Sequence, residues 1–487
     1  MFHIETGMDQ VIGRAEEKKI LDRKLATGSP ELIAVYGRRR VGKTYLVRTY
    51  LKDSIVFELT GIHGASLADQ LKNFSLALGK AIKSPAPIAS APGWLEAFND
   101  LDTYLLDTLD PGKTAVLFFD EFPWLHSPRS NFLRAFDHWW NSSGTKRSSL
   151  KVVICGSAAS WMIEKILNDR GGLHNRVTQT IRLLPFTLAE TDAYLRYRGV
   201  VLDHYQTLQL YMAMGGIPYY LQHISPGESA DQSIDRLCFT TNGPLRTEFG
   251  NIFESLFARA EQHEKIVRAL AQKAGGLTRE EIIKEARFTT GGGMTKVLKE
   301  LTESGFTASY LPFGKGSNEI YKLSDEYSLF YQKFIEPTKA TGSGTWLRQA
   351  HTPSYVSWSG FAFESVCLKH SRPIKKALGI ADVLSEESTW RYQPSRGSRD
   401  KGAQIDLLFD RQDRTINLCE MKFAGDQFVI DKKYAEELDN KVKVFQRETR
   451  TKKTIFLTLI TTYGVKKNDY YTGRVLREVT MEDLYSE

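Results

Sequence analysis

Between a short apolar run, Glu31-Leu-Ile-Ala-Val-Tyr36, and a helical pattern, Tyr45 to Leu51, stands Gly37-Arg-Arg-Arg-Val-Gly42-Lys43-Thr44. This is G-x-x-x-x-G-K-T with a strand before it and a helix after it. Two glycines at that spacing let the backbone curl until its N–H groups and the helix N-terminus face phosphate oxygens. Gly37, Arg38, Arg39, Arg40, Val41 and Gly42 form the loop. Lys43 reaches the β- and γ-phosphates of ATP, and Thr44 offers its hydroxyl to Mg2+.

Such a loop needs a carboxylate on a neighbouring strand to hold the metal through water, and Thr114-Ala-Val-Leu-Phe-Phe119 ends in Asp120-Glu121. A continuous apolar run suits a parallel strand covered on both faces, and its C-terminal end is where such sheets place ligands. Asp120 is assigned to Mg2+ and Glu121 to orienting the attacking water. A third strand, Lys151 to Cys155, runs into Gly156-Ser157, where Ser157 either senses the γ-phosphate or caps a helix. Arg170 and Arg176 precede a strand-like piece, Thr178 to Leu184. Each either stabilises transition-state charge, from the same chain or a neighbour, or forms a surface salt bridge.

A chain of 487 residues has room for about three domains. With 41% apolar and 25% charged residues it is ordinary globular composition, which excludes collagen, coiled coil and wholesale disorder. No apolar run approaches the ~20 residues of a membrane-spanning helix, so no membrane partner is expected. The first ten residues have neither a basic nor an apolar signal region, which makes the cytoplasm the expected compartment. Cys155, Cys238, Cys367 and Cys419 lie far apart and read as reduced core residues. A net charge of +7 permits a nucleic-acid partner without arguing for one.

Ile12-Gly13-Arg14-Ala-Glu-Glu17, the G-R-R-R-V-G-K-T loop, the F-F-D-E-F box and the C-G-S box together resemble the archaeal-type AAA+ ATPases, relatives of the signal-transducing STAND ATPases. Leu183 to Thr187 and Gly215-Gly216-Ile217-Pro218 fit the same family, over most of residues 1 to 335. The resemblance implies a helical lid carrying Gly216 and Pro218 beside the nucleotide. It also implies that Arg176 is the arginine before the fifth strand. From the residues alone, G-G-I-P is a turn between helices.

Residues 84 to 93 are rich in Pro, Ala and Ser and predict a loop. Residues 187 to 258 are helical in pattern. Residues 262 to 335 read as three helices and a hairpin, with a capping box at Thr278-Arg-Glu-Glu281 and an apolar face of Met294, Val297, Leu298 and Leu301. The hairpin runs Phe306 to Phe313, turns at 314–317 and returns through Glu319 to Leu323. That order resembles a winged helix. Lys296, Lys299 and Lys315 are its candidate phosphate contacts, against which stand Glu300 and Glu303 on the same helix. Pro337 to Thr345 has linker composition.

Beyond the linker, Trp358 to His370 reads as a helix carrying Glu364, Gln404 to Phe409 as a strand carrying Asp406, and Ile416 to Phe423 as its hairpin partner carrying Glu420 and Lys422. Alternation along a strand puts Glu420 and Lys422 on one face, where Asp406 can join them. A helix from about Tyr434 to Arg447 and a strand, Thr454 to Thr461, follow. Two carboxylates on one face can bind Mg2+ or Mn2+, and a nearby lysine can position a water for attack on phosphorus. The order Glu, Asp, Glu-x-Lys resembles the PD-(D/E)xK nuclease superfamily over about residues 355 to 465. The resemblance implies that Glu364, Asp406 and Glu420 are metal-site acids, that Met421 adds a backbone carbonyl and that Lys422 is catalytic. The E-x-K spacing alone says little, since Glu16-Glu17-Lys18-Lys19 repeats it, and Gln404-Ile405 stand where the family's name calls for proline. Arg391, Arg396, Arg399 and Lys401 before the strand, and lysines such as Lys432, Lys433 and Lys441 after it, are candidate phosphate contacts. Residues 341–487 nevertheless hold 24 Lys and Arg against 20 Asp and Glu, the balance of a solvated mixed surface.

The expected fold is α/β. Residues 1–186 form a P-loop ATPase sheet of the ASCE/AAA+ kind, 187–260 a helical lid, 261–336 a winged helix, 337–354 a linker and 355–487 a PD-(D/E)xK-like domain. The expected function couples ATP hydrolysis to metal-dependent cleavage of nucleic acid, most naturally DNA. The rival expectations are a STAND-like switch or scaffold whose nuclease-like domain is not catalytic, and a winged-helix DNA-binding regulator. AAA+ resemblance allows a homo-oligomer, whereas STAND resemblance allows a monomer.

Overall fold

The computed structural model describes residues 10–109, 112–127, 129–157, 159–167, 173–257, 259–288, 293–314, 318–339, 342–350, 352–394 and 401–486. Arg170, Lys315, Arg396 and Arg399 lie outside these. The chain forms two units, Met1–Leu184 and Pro185–Glu487. Among the described residues no helix is long and apolar enough to cross a membrane.

In the first unit, β1 (Glu31–Tyr36), β2 (Ile55–Thr60), β3 (Ala115–Asp120), β4 (Leu150–Gly156) and β5 (Gln179–Arg182) form one sheet in the order β2-β3-β4-β1-β5. Every pairing is parallel. The apolar runs at β1, β3 and β4 are buried along nearly their whole length, as strands covered on both faces must be. On one face the helices Leu67–Ala81, Trp94–Thr108 and Phe132–Ser142 pack an aromatic core around Phe57, Phe74, Phe98, Phe119 and Phe136. Burial of each such ring contributes roughly 1.5–3 kcal/mol. Phe119 in that core fixes Asp120, the next residue, at the C-terminal edge of β3. The chain leaves β1 and crosses β4 and β3 to reach β2, so the loop after β1 opens at a point where strand order reverses. Residues 84–93 run as loop, in line with their composition.

The second unit begins with helices, among them Leu188–Tyr197, capped reciprocally by Thr187 and Glu190, and His204–Met214. Gly216 approaches Phe186 so closely that a Cβ would stand 2.0 Å from its carbonyl oxygen, and the Phe186 N–H donates to Gly216 O at 2.6 Å. The G-G-I-P turn is thus a place where the backbone admits only glycine. Helices Ala260–Ala271, Arg279–Glu285 and Gly293–Glu303 follow, with β6 (Leu277–Thr278), β7 (Thr307–Tyr310) and β8 (Ile320–Leu323) in an antiparallel sheet of order β6-β8-β7. Thr278 and Glu281 form the capping box expected of the second helix.

The chain just past the segment of linker composition is packed at Trp346. Trp346 is 1% exposed and stacks on Phe239, and its backbone N–H donates to Asp235 at 2.6 Å. Gly and Thr mark loose chain only while no large ring beside them finds a pocket.

The last sheet contains β9 (Ser385–Tyr392), β10 (Ala403–Arg411), β11 (Thr415–Lys422), β12 (Thr454–Thr461) and β13 (Arg477–Thr480) in the order β13-β12-β11-β10-β9. Pairs β9–β10 and β10–β11 are antiparallel, whereas β11–β12 and β12–β13 are parallel. Helices Pro353–Lys369 and Lys432–Thr449 pack with it. The edge strand β9 is covered by the segment after β7, where the Phe313 N–H donates to Thr389 O at 2.8 Å and the Phe313 ring meets Phe445 at 5.2 Å. An open edge is a template for unwanted pairing, and this contact removes it.

Candidate functional site

At the C-terminal edge of the first sheet, Gly37 has φ 147°, and a Cβ there would lie 2.3 Å from Leu183 O. Gly42, at φ 92°, is the N-cap of the helix Lys43–Tyr50. Both glycines therefore do what the spacing requires. Arg38 is buried, Arg39 exposed, and Arg40 takes a left-handed backbone at φ 74°. Val41 is buried, and its carbonyl accepts from Arg14 Nη2 at 3.0 Å, while Arg14 Nη1 donates to Leu184 O at 2.8 Å. Arg14 thus clamps the loop from below, a role its place in Ile12-Gly13-Arg14 did not disclose.

The Lys43 ammonium is buried inside the loop and donates to Gly37 O at 3.0 Å and Arg38 O at 2.8 Å. Burial pushes its pKa down, against the upward pull of Cys155, Glu121 and Asp120. Thr44 Oγ1 donates to Asp120, 3.0 Å from each carboxylate oxygen. Burial raises Asp120, and the Thr44 hydroxyl opposes that. Beside them, at the end of β4, Ser157 Oγ donates to Glu121 at 2.8 Å and Ser157 N–H reaches the same carboxylate at 3.3 Å. Glu121 has φ 44°, a left-handed backbone rare for a long side chain and common at functional positions. The Ser157 hydroxyl is here bound to the second acid. Arg48, one turn along the helix, lies 3.9 Å from Asp120 and bonds Thr60 at 3.1 Å, a neighbour that i, i+4 spacing from Thr44 already offered.

Lys43, Thr44, Asp120, Glu121 and Ser157 are therefore gathered in one place. Arg176 is not among them: it is exposed on the segment before β5. Pro218 opens the helix Pro218–Leu221 in the second unit.

A second group of charges lies on the face of β10 and β11. Asp406 Oδ1 accepts from Lys322 Nζ at 2.8 Å and from Gln404 Nε2 at 2.7 Å. Glu420 accepts from Lys441 Nζ at 2.6 Å and Tyr434 OH at 2.9 Å, with Lys422 Nζ at 3.2 Å. Glu364 lines a small recess together with Tyr310 and Lys322. Burial, then the charges of Asp406 and Glu420, push the Glu364 carboxyl well above the usual carboxylate range. Burial also acts to raise Asp406, but Lys322 and Gln404 outweigh it and hold that carboxyl below its ordinary value. Met421 is buried on the opposite face, in register with Ile460.

Of the expected metal set, Asp406 and Glu420 share one face within electrostatic reach of Glu364, and each is bonded to a lysine. Among the described residues no three His, Cys, Asp or Glu side chains converge to hold a metal ion. The physical reason is that lysine ammonium groups already neutralise Asp406 and Glu420. Sequence reasoning missed Lys322 and Tyr434, and read Lys441 as a phosphate contact. The available signals were a lysine at an inward position of β8, and the seven-residue spacing that puts Tyr434 and Lys441 on one helix face. Arg391, expected at phosphates, instead meets Glu281 at 3.3 Å. The four cysteines are free and buried, as expected.

Residues 12–224 match the family model described as an ATPase domain predominantly from Archaea. The uncharacterized protein MJECL04 of Methanocaldococcus jannaschii is 25% identical over 440 residues, covering 89% of this chain and 92% of that one. The uncharacterized ATP-binding protein MJ0423 of the same organism is 43% identical over 47 residues, 10% of this chain and 80% of that one. Among solved structures, the Walker-type ATPase PABY2304 of Pyrococcus abyssi is 18% identical, covering 66% of this chain and 95% of that chain with a TM-score of 0.47. The ORC2 protein of Aeropyrum pernix is 16% identical, covering 70% and 96% with a TM-score of 0.41. The phosphate-loop geometry and the family match agree over residues 12–224, where the chain is similar to the ATPase domain found predominantly in Archaea.

Proposed function

We propose that the protein is an Mg2+-dependent ATPase whose nucleotide state sets the conformation of a winged helix and a PD-(D/E)xK-like C-terminal domain. The observation that carries the ATPase part is the Thr44 hydroxyl between the two oxygens of Asp120. Those two side chains would hold Mg2+, which when bound offsets phosphate charge. The loop fits a phosphate: its glycines leave space that a Cβ would fill, and its lysine is buried among backbone carbonyls. Lys43 exchanges those carbonyls for the β- and γ-phosphate oxygens, which are stronger acceptors. Glu121 takes the hydrogen bond of the attacking water, and Ser157 holds Glu121 for that task. Arg176, exposed before β5, supplies transition-state charge stabilisation in its own chain or to a neighbouring copy.

For the C-terminal domain, the lysines on Asp406 and Glu420 favour an ATP-driven switch over a standing nuclease. Cleavage of DNA with Mg2+ or Mn2+ is the second reading, carried by Lys422 beside Glu420 on one face of β11. Phosphate release from ATP should require Mg2+ and be lost in Asp120→Asn. Incubation with plasmid, Mn2+ and ATP separates the two C-terminal readings. Nicking by the wild type that Lys422→Ala abolishes supports the nuclease, and equal outcomes for both support the switch.

A further inference from the structure

Two carboxylates at directly opposed positions of an antiparallel pair repel unless positive charge neutralises them. Asp406 and Glu420 are such a pair, one step beyond Leu407 and Cys419 in the register of β10 with β11, and therefore on one face. In a metal-dependent centre a divalent ion supplies the positive charge. Here the ammonium groups of Lys322, Lys422 and Lys441 do so, at 2.8, 3.2 and 2.6 Å from a carboxylate oxygen.

Lys422 and Lys441 belong to the strand and helix of the C-terminal domain itself. Lys322 arrives from β8, 84 residues before its partner Asp406, and only because the β7–β8 hairpin is docked. Among the described residues, the contacts that hold that docking include Phe313 N–H to Thr389 O, the Phe313 ring on Phe445, Arg391 with Glu281 at 3.3 Å, and Gly275 against the Gln404 amide. The Lys322 side chain is 6% exposed, so its charge is committed to Asp406 rather than shared with solvent.

We propose that Lys322 is a built-in counter-ion that fills the cation position of the Asp406–Glu420 pair and keeps divalent metal out while the β7–β8 hairpin stays docked. The proposal rests on the PD-(D/E)xK-like reading of this domain. Removing one partner of a buried ion pair leaves the other uncompensated, so Lys322 leaves readily only if another cation takes its place. Docking of the hairpin and binding of a divalent ion are then alternatives for one site, and each shifts the population of the other.

The test uses the full chain carrying Asp120→Asn, which removes the carboxylate assigned to Mg2+ in the ATPase site. Mn2+ is titrated in by calorimetry and by the loss of free-ion electron paramagnetic resonance signal. The parent should bind no Mn2+ that depends on Asp406. Adding Lys322→Met, which keeps the apolar stem, should create one Mn2+ site at least tenfold tighter than any in the parent, raise Tm on Mn2+ addition, and lose both effects with Asp406→Asn. Lys322→Gln, which keeps a hydrogen-bond donor to Asp406, runs in parallel so that a folded variant without the ammonium is in hand. Mn2+ binding in the parent that disappears with Asp406→Asn would overturn the counter-ion role while leaving the metal-centre reading intact. Folded Lys322 variants that bind no Mn2+ would overturn both.

Discussion

Ser157 and Glu121, at the ends of the neighbouring strands β4 and β3, are joined by a hydroxyl–carboxylate hydrogen bond of 2.8 Å. The bond fixes an acid whose backbone sits at φ 44°, so the side chain points where the strand end alone would not send it. Ser157→Ala should lower kcat by ~10–100-fold, the equivalent of one lost hydrogen bond to a charged group. ATP affinity should change little, and Ser157→Thr should restore turnover. Steady-state phosphate release with a nucleotide-binding titration checks both.

Thr44 supplies the hydroxyl bonded to Asp120, and Asp120 is buried. Thr44→Val keeps the shape and removes that donor. The variant should bind ATP no better with Mg2+ than with a chelator present. It should also lose roughly 1–3 kcal/mol of stability from the carboxylate left with fewer partners. Calorimetry with and without Mg2+, and urea unfolding, read the two effects.

His370 is fully enclosed, donates from Nδ1 to Val366 O at 2.7 Å and accepts from Leu188 N–H at Nε2 at 3.0 Å. Burial pushes its pKa down from 6.5 to about 4. The unfolded chain therefore binds a proton between pH 6.5 and about 4 that the folded chain does not, and stability falls as pH drops through that window. Above pH 6.5 the contribution is complete; by pH 4 about 3 kcal/mol is lost. Denaturant titrations from pH 7 to 4 should show this slope, and His370→Gln should flatten it.

Trp346 directly follows the stretch of linker composition and is 1% exposed, packed against Phe239, Phe330 and Phe334. Trp346→Ala should cost about 3–5 kcal/mol, visible as a large drop in Tm. A substitution in a true linker would leave Tm unchanged.

The ATPase half was legible because its signals are local: Gly37, Gly42, Lys43 and Thr44 are close in sequence, and the apolar run before Asp120 can only be a covered strand. Alternation likewise placed Glu420 and Lys422 on one face, now 3.2 Å apart. What failed was knowledge of partners. Nothing near Asp406 announces that Lys322 will reach it, because that contact depends on how a hairpin docks on β9. The strands β9 and β13 also escaped notice, being edge strands rich in charge, Ser385–Tyr392 and Arg477–Thr480, whose side chains do not alternate cleanly. Trp346 was hidden by its small polar neighbours.

The most direct test of the account is ATP turnover by Glu121→Gln, which keeps the size of the side chain and its bond from Ser157 but removes the charge that orders water. Single-turnover hydrolysis with Mg2+ should fall by ~100-fold or more while ATP binding stays within about twofold of wild type. Turnover equal to wild type would mean that the Asp120–Glu121 end of β3 is not where ATP is hydrolysed.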